Sequence, residues 1–393
     1  MVGAAPPYKG IFRVKDWWWS KAALLMGLVY LFAAWYKISF RAFIPLSLLS
    51  LVTITGFAGM GYLFNDLFDI EKDTLAGKRN FLAGKPGWLI IILFLVSAAF
   101  VLMPWLFLPK TWLSLALIAV QLLLYMVYSV PPVRLKERGF AGIITDALYA
   151  HGIPSVLAAY TFALAAHHLF STVEILLLFA WQTISGARNI ILHLAEDVEA
   201  DKRAGSKNFV AGLAPSKFHL LLSALIVVEW IFCLGFFTSL LSVNPLFSIC
   251  LLVILGLSAM AFMLFMEKGA PPFLKSTWSF FPNNIYEKWL PLTYLLILAV
   301  GDIRFAILIA VHLTIFNFEF YTQAADRIYG WWESISFKGN LITARIILSY
   351  PGNYFIYYLF RIFKVDLKRE NISAMDYFKK RFGVKQSISK SDK

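Results

Sequence analysis

Cysteine is nearly missing from this chain: its 393 residues include two, Cys233 and Cys250, both inside apolar stretches. That excludes a disulfide framework and a thiolate metal site, and leaves both thiols as buried bystanders. Charge is scarce as well, at 15% of residues against 60% hydrophobic, with a mean hydropathy of +0.70. Such a chain reads as a polytopic membrane protein and not as a soluble domain. The first residues lack a short apolar run with a small-residue cleavage site, so no removed leader is expected. No internal repeat of about 20–50 residues is found either. Negative charge is the scarcer sign, 23 acidic residues against 36 Lys and Arg, for a net charge of +13. In so apolar a chain the positive excess suits anionic lipid headgroups and diphosphates, and nucleic acid is excluded as a partner.

What is abundant is long apolar runs. Stretches near 20–36, 43–68, 87–108, 111–129, 141–166, 172–195, 216–240 and 245–266 are each long enough to cross about 30 Å of hydrocarbon as a helix. Another runs from 288 to 318, interrupted by Gly301-Asp302-Ile303-Arg304, and forms one helix with an internal ion pair or two short ones with a turn. The expected fold is all-α: a polytopic bundle of about nine transmembrane helices. Arg13, Lys15, Lys72, Lys78, Arg79, Lys85, Arg134, Lys136, Arg138, Lys202, Arg203, Lys207 and Lys268 fall in alternate connections, which the positive-inside rule places in the cytoplasm. Residues 1–19 then form a cytoplasmic interfacial segment, with Trp17-Trp18-Trp19 as a headgroup anchor. Residues 20–320 form the membrane domain. Residues 321–393 form a basic extension with a membrane-associated helix near 341–362, bent by Pro351-Gly352.

The few acids are concentrated. One ladder reads Asn65-Asp66-Leu67-Phe68-Asp69-Ile70-Glu71-Lys72-Asp73, the other Glu196-Asp197-Val198-Glu199-Ala200-Asp201, each where an apolar run meets a basic connection. A carboxylate at the bilayer centre costs about 2.5–3.5 kcal/mol on insertion scales, so such clusters need a partner or an interfacial position. On a helix Asp66, Asp69 and Asp73 share one face with Asn65, and Asn189, His193, Asp197 and Asp201 recur every fourth residue. Magnesium takes one or two carboxylates and completes its shell with water and phosphate oxygens. Two facing ladders would hold two or three Mg²⁺ around a diphosphate. The plainer reading is solvated acidic helix ends, and Glu71, Glu196 and Glu199 are expected to be that.

Between the ladders, Tyr128-Ser129-Val130-Pro131-Pro132-Val133-Arg134-Leu135-Lys136 stops the fourth span at its prolines. Lys136, with Arg134, Lys72 and Arg79, is a candidate for holding diphosphate oxygens, whereas Arg138 is expected to be ordinary loop charge. Asp146, Arg188, Asn189 and His193 lie deeper and are candidates for facing an acceptor, His193 as a proton acceptor. Interhelical hydrogen bonding is the competing role for all four. Gly56, Gly59 and Gly61 read as helix-packing positions, and Asp302 with Arg304 as a structural pair.

Asn-Asp-x-x-Asp-x-x-x-Asp after the second span, Tyr-Ser-x-Pro-Pro-x-x-Leu-Lys after the fourth, and Asp197, Asp201 and Gly205 in Asp-x-x-x-Asp-x-x-x-Gly after the sixth resemble the UbiA-type intramembrane prenyltransferases. The proline–lysine segment is most similar to the chlorophyll-synthase and homogentisate branches. The resemblance covers residues 20–265 and, by helix count, 288–318. It implies a cavity open to the cytoplasm and laterally to lipid, in which a Mg²⁺-bound polyprenyl diphosphate ionises to an allylic cation that a hydrophobic acceptor captures. Tyr128 then stabilises the cation or closes the cavity. Where relatives carry Arg-Pro, this chain has Lys78-Arg79-Asn80, which leaves Arg79 the least supported contact. A terpene cyclase of the same fold is the alternative. A divalent-cation transporter fits less well, since its acids belong near mid-membrane.

Overall fold

The computed structural model describes residues 14–78, 80–168, 171–240 and 281–316. Every regular element among them is helical. Packing divides the chain into one compact unit up to His312 and a second from Leu313 onward; the site lies in the first. Seven helices among the described residues are long and apolar enough to cross a membrane. They are α1 (Trp18–Trp35), α2 (Phe40–Leu75), α3 (Gly87–Leu106), α4 (Trp112–Ser129), α5 (Phe140–Ala165), α6 (Thr172–Arg203) and α7 (Pro215–Ser239). The expected span at 245–266, the basic extension with its helix near 341–362, and Arg79 lie outside the described residues.

Two of these helices are far longer than a bilayer requires. At about 1.5 Å per residue, α2 is about 54 Å long and α6 about 48 Å, against about 30 Å of hydrocarbon. Each therefore continues past the ends expected at 68 and 195, and the surplus turns carry Asp69 and Asp73 of the first ladder and all of the second. Both stop by the same device. Gly77 and Gly205 take left-handed φ values of 70° and 63°, and the next residue's N–H returns to an aspartate carbonyl: Lys78 to Asp73 at 2.8 Å, Ser206 to Asp201 at 2.9 Å. This is a Schellman closure, and it leaves the last aspartate of each ladder in the final turn. Ser171 starts α6 with a capping box, its Oγ accepting from Glu174 N at 3.2 Å.

Small residues set the helix spacing. A Cβ on Gly56 would lie 2.5 Å from Val101 N, and one on Gly61 2.7 Å from the Tyr125 ring, so both bring α2 against its neighbours α3 and α4. The remaining main contacts are α6 with α7, α5 with α6, and α1 with α5. The interrupted run resolves as two pieces. α8 is Leu290–Gly301, preceded by a π turn at Ile285–Trp289 and a short turn at Phe281–Asn284. It packs on α1 and ends at Asp302, after which α9 (Ile303–Ile315) begins. Asp302 caps the break, its carboxylate accepting from Arg304 N at 3.1 Å and Arg304 Nη2 at 2.7 Å. The tryptophan triplet is split in role: Trp19 is exposed as an anchor should be, but Trp17 is buried inside the bundle.

Candidate active site

The ladders face each other. Lys78, just past the first, reaches Asp197 in the second with Nζ 3.0 Å from Oδ2. Asn65 from α2 and His193 and Glu196 from α6 line one common cavity of about 530 Å³. Glu71, Glu196 and Glu199 are all exposed as expected, Glu196 also bordering the cavity and Glu199 lying beside Lys202.

The two halves are built alike down to single hydrogen bonds. Asn80 donates to the Asp66 carbonyl at 2.7 Å and to Asp73 Oδ2 at 2.8 Å, while its Oδ1 accepts from Leu82 N. Asn208 donates to the Leu194 carbonyl at 2.8 Å and to Asp201 Oδ2 at 2.7 Å, while its Oδ1 accepts from Val210 N. Each asparagine ties its loop back over the helix end and fixes the last carboxylate of its ladder. The signal was present in sequence: Asp73-Thr74-Leu75-Ala76-Gly77-Lys78-Arg79-Asn80-Phe81-Leu82-Ala83-Gly84 and Asp201-Lys202-Arg203-Ala204-Gly205-Ser206-Lys207-Asn208-Phe209-Val210-Ala211-Gly212 are one motif twice. It is too short for a search at repeat-protein periods.

The proline loop supplies the cations. Helix α4 ends at Ser129, and the chain turns through a cis Pro131–Pro132 bond and a left-handed Arg134 into a short 3₁₀ turn, Leu135–Glu137. Asp69 receives two cations there, Arg134 Nη2 at 2.5 Å and Lys136 Nζ at 2.5 Å; Lys136 also donates to Asn65 Oδ1 at 2.9 Å. Glu137, which sequence reasoning passed over, pairs with Arg134 and with Lys72 and so locks the loop to α2. Burial lowers the Lys136 pKa below that of an ordinary lysine, the neighbouring Asp69 only partly restoring it. Burial alone would raise Glu137, but hydrogen bonds from Lys72 and Arg134 outweigh it and hold the carboxyl below its ordinary value. Arg138 stays outside this group, bonded to the Pro132 carbonyl at 2.9 Å, as expected of loop charge.

Below the ladders the cavity has an aromatic side and a polar one. Tyr128 packs edge-on to Tyr149 with centroids 5.2 Å apart, and Tyr125 lies 4.4 Å from Tyr149. Tyr149 donates to Asp146, and Gln121 fixes its backbone by donating to the Tyr149 carbonyl at 2.8 Å. Asn189, Asn283, Glu287, His151 and Lys21 are among the other lining residues. Of the residues named from sequence, Asn65, Tyr128, Asp146, Asn189 and His193 line the cavity.

Arg188 stands behind this wall instead of in it. It is fully buried and pairs with Glu229 of α7, Nε to Oε2 at 2.6 Å and Nη2 to Oε1 at 3.1 Å. Nη2 also donates to Asn283 Oδ1 at 2.6 Å, and Asn189 Oδ1 accepts from both Arg188 and Asn283 at 3.0 Å. Its positive charge is spent on Glu229, which leaves Asn189 to present an amide to the cavity. Glu229 was legible as the one acid in an apolar helix; Asn283 and Glu287 were not, because their stretch carries no motif.

Residues 23–284 match the profile of the UbiA prenyltransferase family. The chain belongs to that family. The chain is also similar to solved structures of a UbiA homolog from Archaeoglobus fulgidus. The form bound to GPP and Mg²⁺ is 17% identical, with a TM-score of 0.49 over 74% of this chain and 98% of that one. The form bound to DMAPP and Mg²⁺ is 17% identical, with a TM-score of 0.48 over 71% and 96%. Curated protein sequences give no match. Within the UbiA framework the matched residues end at 284, so they include Asn283 but stop short of Glu287 and the rest of α8.

Proposed function

We propose that this UbiA-family protein transfers a polyprenyl group from a polyprenyl diphosphate to a lipophilic acceptor inside the membrane, with Mg²⁺ as cofactor and the ladders on the cytoplasmic side. The observation that carries this is the Lys78–Asp197 bridge, which ties the end of one aspartate row to the other beside a cavity that Asn65 and His193 line. The donor set supports Mg²⁺: every aspartate offers hard oxygen, which that ion prefers. Among the described residues no three His, Cys, Asp or Glu side chains form a ready cage. That suits an ion which keeps one or two carboxylates and draws its remaining ligands from diphosphate and water. Asn65, Asp66, Asp69 and Asp73 on one side and Asp197 and Asp201 on the other would hold two or three such ions between them. Bound there, the metal supplies neutralisation of the charge that grows on the leaving diphosphate.

The chain's own residues do the rest. Lys136, Arg134 and Lys78 already balance the ladder carboxylates, and each donates to diphosphate oxygens when substrate arrives. The Tyr125, Tyr128 and Tyr149 rings present π faces to an allylic cation while the apolar lining keeps water away. A polar wall at Asn189, Asn283 and His151 favours a second substrate over an acceptor-free cyclase, whose cation would be intercepted by such groups. Cations clustered at the ladder end, Lys72, Lys78, Arg134, Lys136, Lys202 and Arg203, support the cytoplasmic orientation.

The test is Mg²⁺-dependent diphosphate release by the purified protein. Asp66→Ala and Asp197→Ala are each expected to remove it by at least about a hundredfold, the scale of losing one preorganised charge-stabilising group. Full turnover in EDTA would overturn the metal mechanism.

A further inference from the structure

We propose that Glu287 is a catalytic residue of the transfer step, taking the proton that the acceptor gives up as the prenyl group joins it. The inference rests on the prenyl-transfer reading of the cavity. Transfer forms a bond between the allylic carbon and a carbon, nitrogen or oxygen atom of the acceptor, and breaks that atom's bond to hydrogen. The electron pair of the severed C–O bond departs with the diphosphate, and an electron pair of the acceptor makes the new bond. The pair from the broken bond to hydrogen stays on the product, so one proton must be received by a base within reach.

Among the described residues the cavity lining offers two imidazoles and three carboxyl groups. His151 has both nitrogens closed even to water, and His193 is exposed beside the second ladder, 3.5 Å from Asp197. Asp146 accepts from the Tyr149 hydroxyl, and Glu196 is exposed. Glu287 differs from all four. It is only 9% exposed, yet its carboxylate accepts no hydrogen bond from any described residue. Neither oxygen is sealed off, so the carboxylate borders the cavity with lone pairs open. Carboxylates at membrane depth face a cavity or pair with one another, and one without a partner marks a working site.

The backbone sets the carboxylate there. Glu287 sits in the π turn Ile285–Trp289, a geometry found mostly as single turns and often at functional sites. The turn packs on α1, including the π turn Trp18–Ala22 with which that helix begins, and Lys21 of that turn shares the cavity wall. The neighbouring cations are committed: Lys288 Nζ donates to Asn284 Oδ1 at 2.6 Å, and Arg188 is paired with Glu229. Asn283, one turn before Glu287, donates to Asn189 Oδ1 at 3.0 Å and fastens this end of the turn to α6. Asn189 lies about 12 Å along α6 from Asp197, so this part of the cavity is set back from the ladders. A base there meets the acceptor before it meets the diphosphate. Glu287 also lies beyond residues 23–284, the stretch matched to the family.

The test uses membranes of the native host, in which the full-length protein meets its own acceptor. Radiolabelled geranyl, farnesyl and geranylgeranyl diphosphates serve as donors, and label is counted in extracted lipid. Wild type is expected to slow in acid as Glu287 takes up a proton. Glu287→Gln keeps the shape but loses the basic oxygen. It should lower the maximal rate at neutral pH by at least about a hundredfold, the low end for loss of a general base, and erase the acid limb. KM for the diphosphate should stay unchanged, and Glu287→Asp should recover part of the rate together with the acid limb. A smaller fall in Glu287→Gln, or an acid limb unchanged in it, would overturn the proposal and assign the proton to the diphosphate. If Glu287→Gln does not fold, Glu287→Asp carries the test: its acid limb should be displaced from that of wild type, and an identical profile counts against the base. Absence of Mg²⁺-dependent label in lipid from wild type would remove the prenyl-transfer reading and the base together, whereas a wild-type rate in Glu287→Gln removes the base alone.

Discussion

At the residue scale, the site holds its own counter-ions. Asp69 accepts from Arg134 and Lys136 at 2.5 Å each, so the ladder is not a bare anion waiting for metal. Glu137 determines whether the loop delivers those cations, because it holds Arg134 on one side and Lys72 on the other. Its folded-state pKa is depressed, so its stabilising contribution is complete above the ordinary glutamate value of 4.5 and is lost as pH falls through the lower folded value. Glu137→Gln should therefore lower the melting temperature at pH 7 and converge with wild type in acid. A constant difference from pH 7 down to pH 3, measured by thermal denaturation in detergent, would show that the pair does not govern the loop. The aspartate rows were legible from helical register and Lys136 from its place after the prolines, whereas Tyr128 entered only through the family resemblance. Glu137 was not, because nothing in its own neighbourhood says which cation across the bundle it meets.

At the element scale, the decisive feature is the length of α2 and α6. Hydropathy ends the spans where polar residues begin, near 68 and 195, but hydrogen bonding ends the helices, and it carries both ladders onto rigid turns. Asn80 and Asn208 close those ends by identical bonds. Asn80→Ala and Asn208→Ala each free a backbone carbonyl and an aspartate carboxylate, a loss of about 1–3 kcal/mol where the group is buried. Each variant is expected to need about ten times more Mg²⁺ for half-maximal diphosphate release, with helix content by circular dichroism unchanged. Unchanged metal dependence in both would reduce the asparagines to loop fasteners. The break at Asp302 is also an element-scale result: the sequence allowed one helix or two, and the Asp302–Arg304 cap chose two.

At the scale of the whole molecule, a buried ion pair braces one wall of the cavity. Arg188, Glu229 and Asn283 join α6, α7 and the turn before α8, and they leave Asn189 on the cavity side. Removing one partner strands a buried charge at a cost of about 3–5 kcal/mol, whereas replacing both with apolar side chains is often neutral. Glu229→Ala should unfold well below wild type, and Arg188→Met with Glu229→Leu should recover most of that loss. A double variant no better than Glu229→Ala would mean that the pair orients the wall instead of merely filling it.

Local chemistry by itself determined the membrane helices, the two ladders and the proline–lysine loop. Apolar length, helical register and proline stereochemistry are properties of neighbours in the chain. Only the tertiary structure decided that Lys78 crosses to Asp197 and that Arg188 is neutralised by Glu229. Those outcomes depend on which helix faces which, and that is settled by packing between segments far apart in the chain.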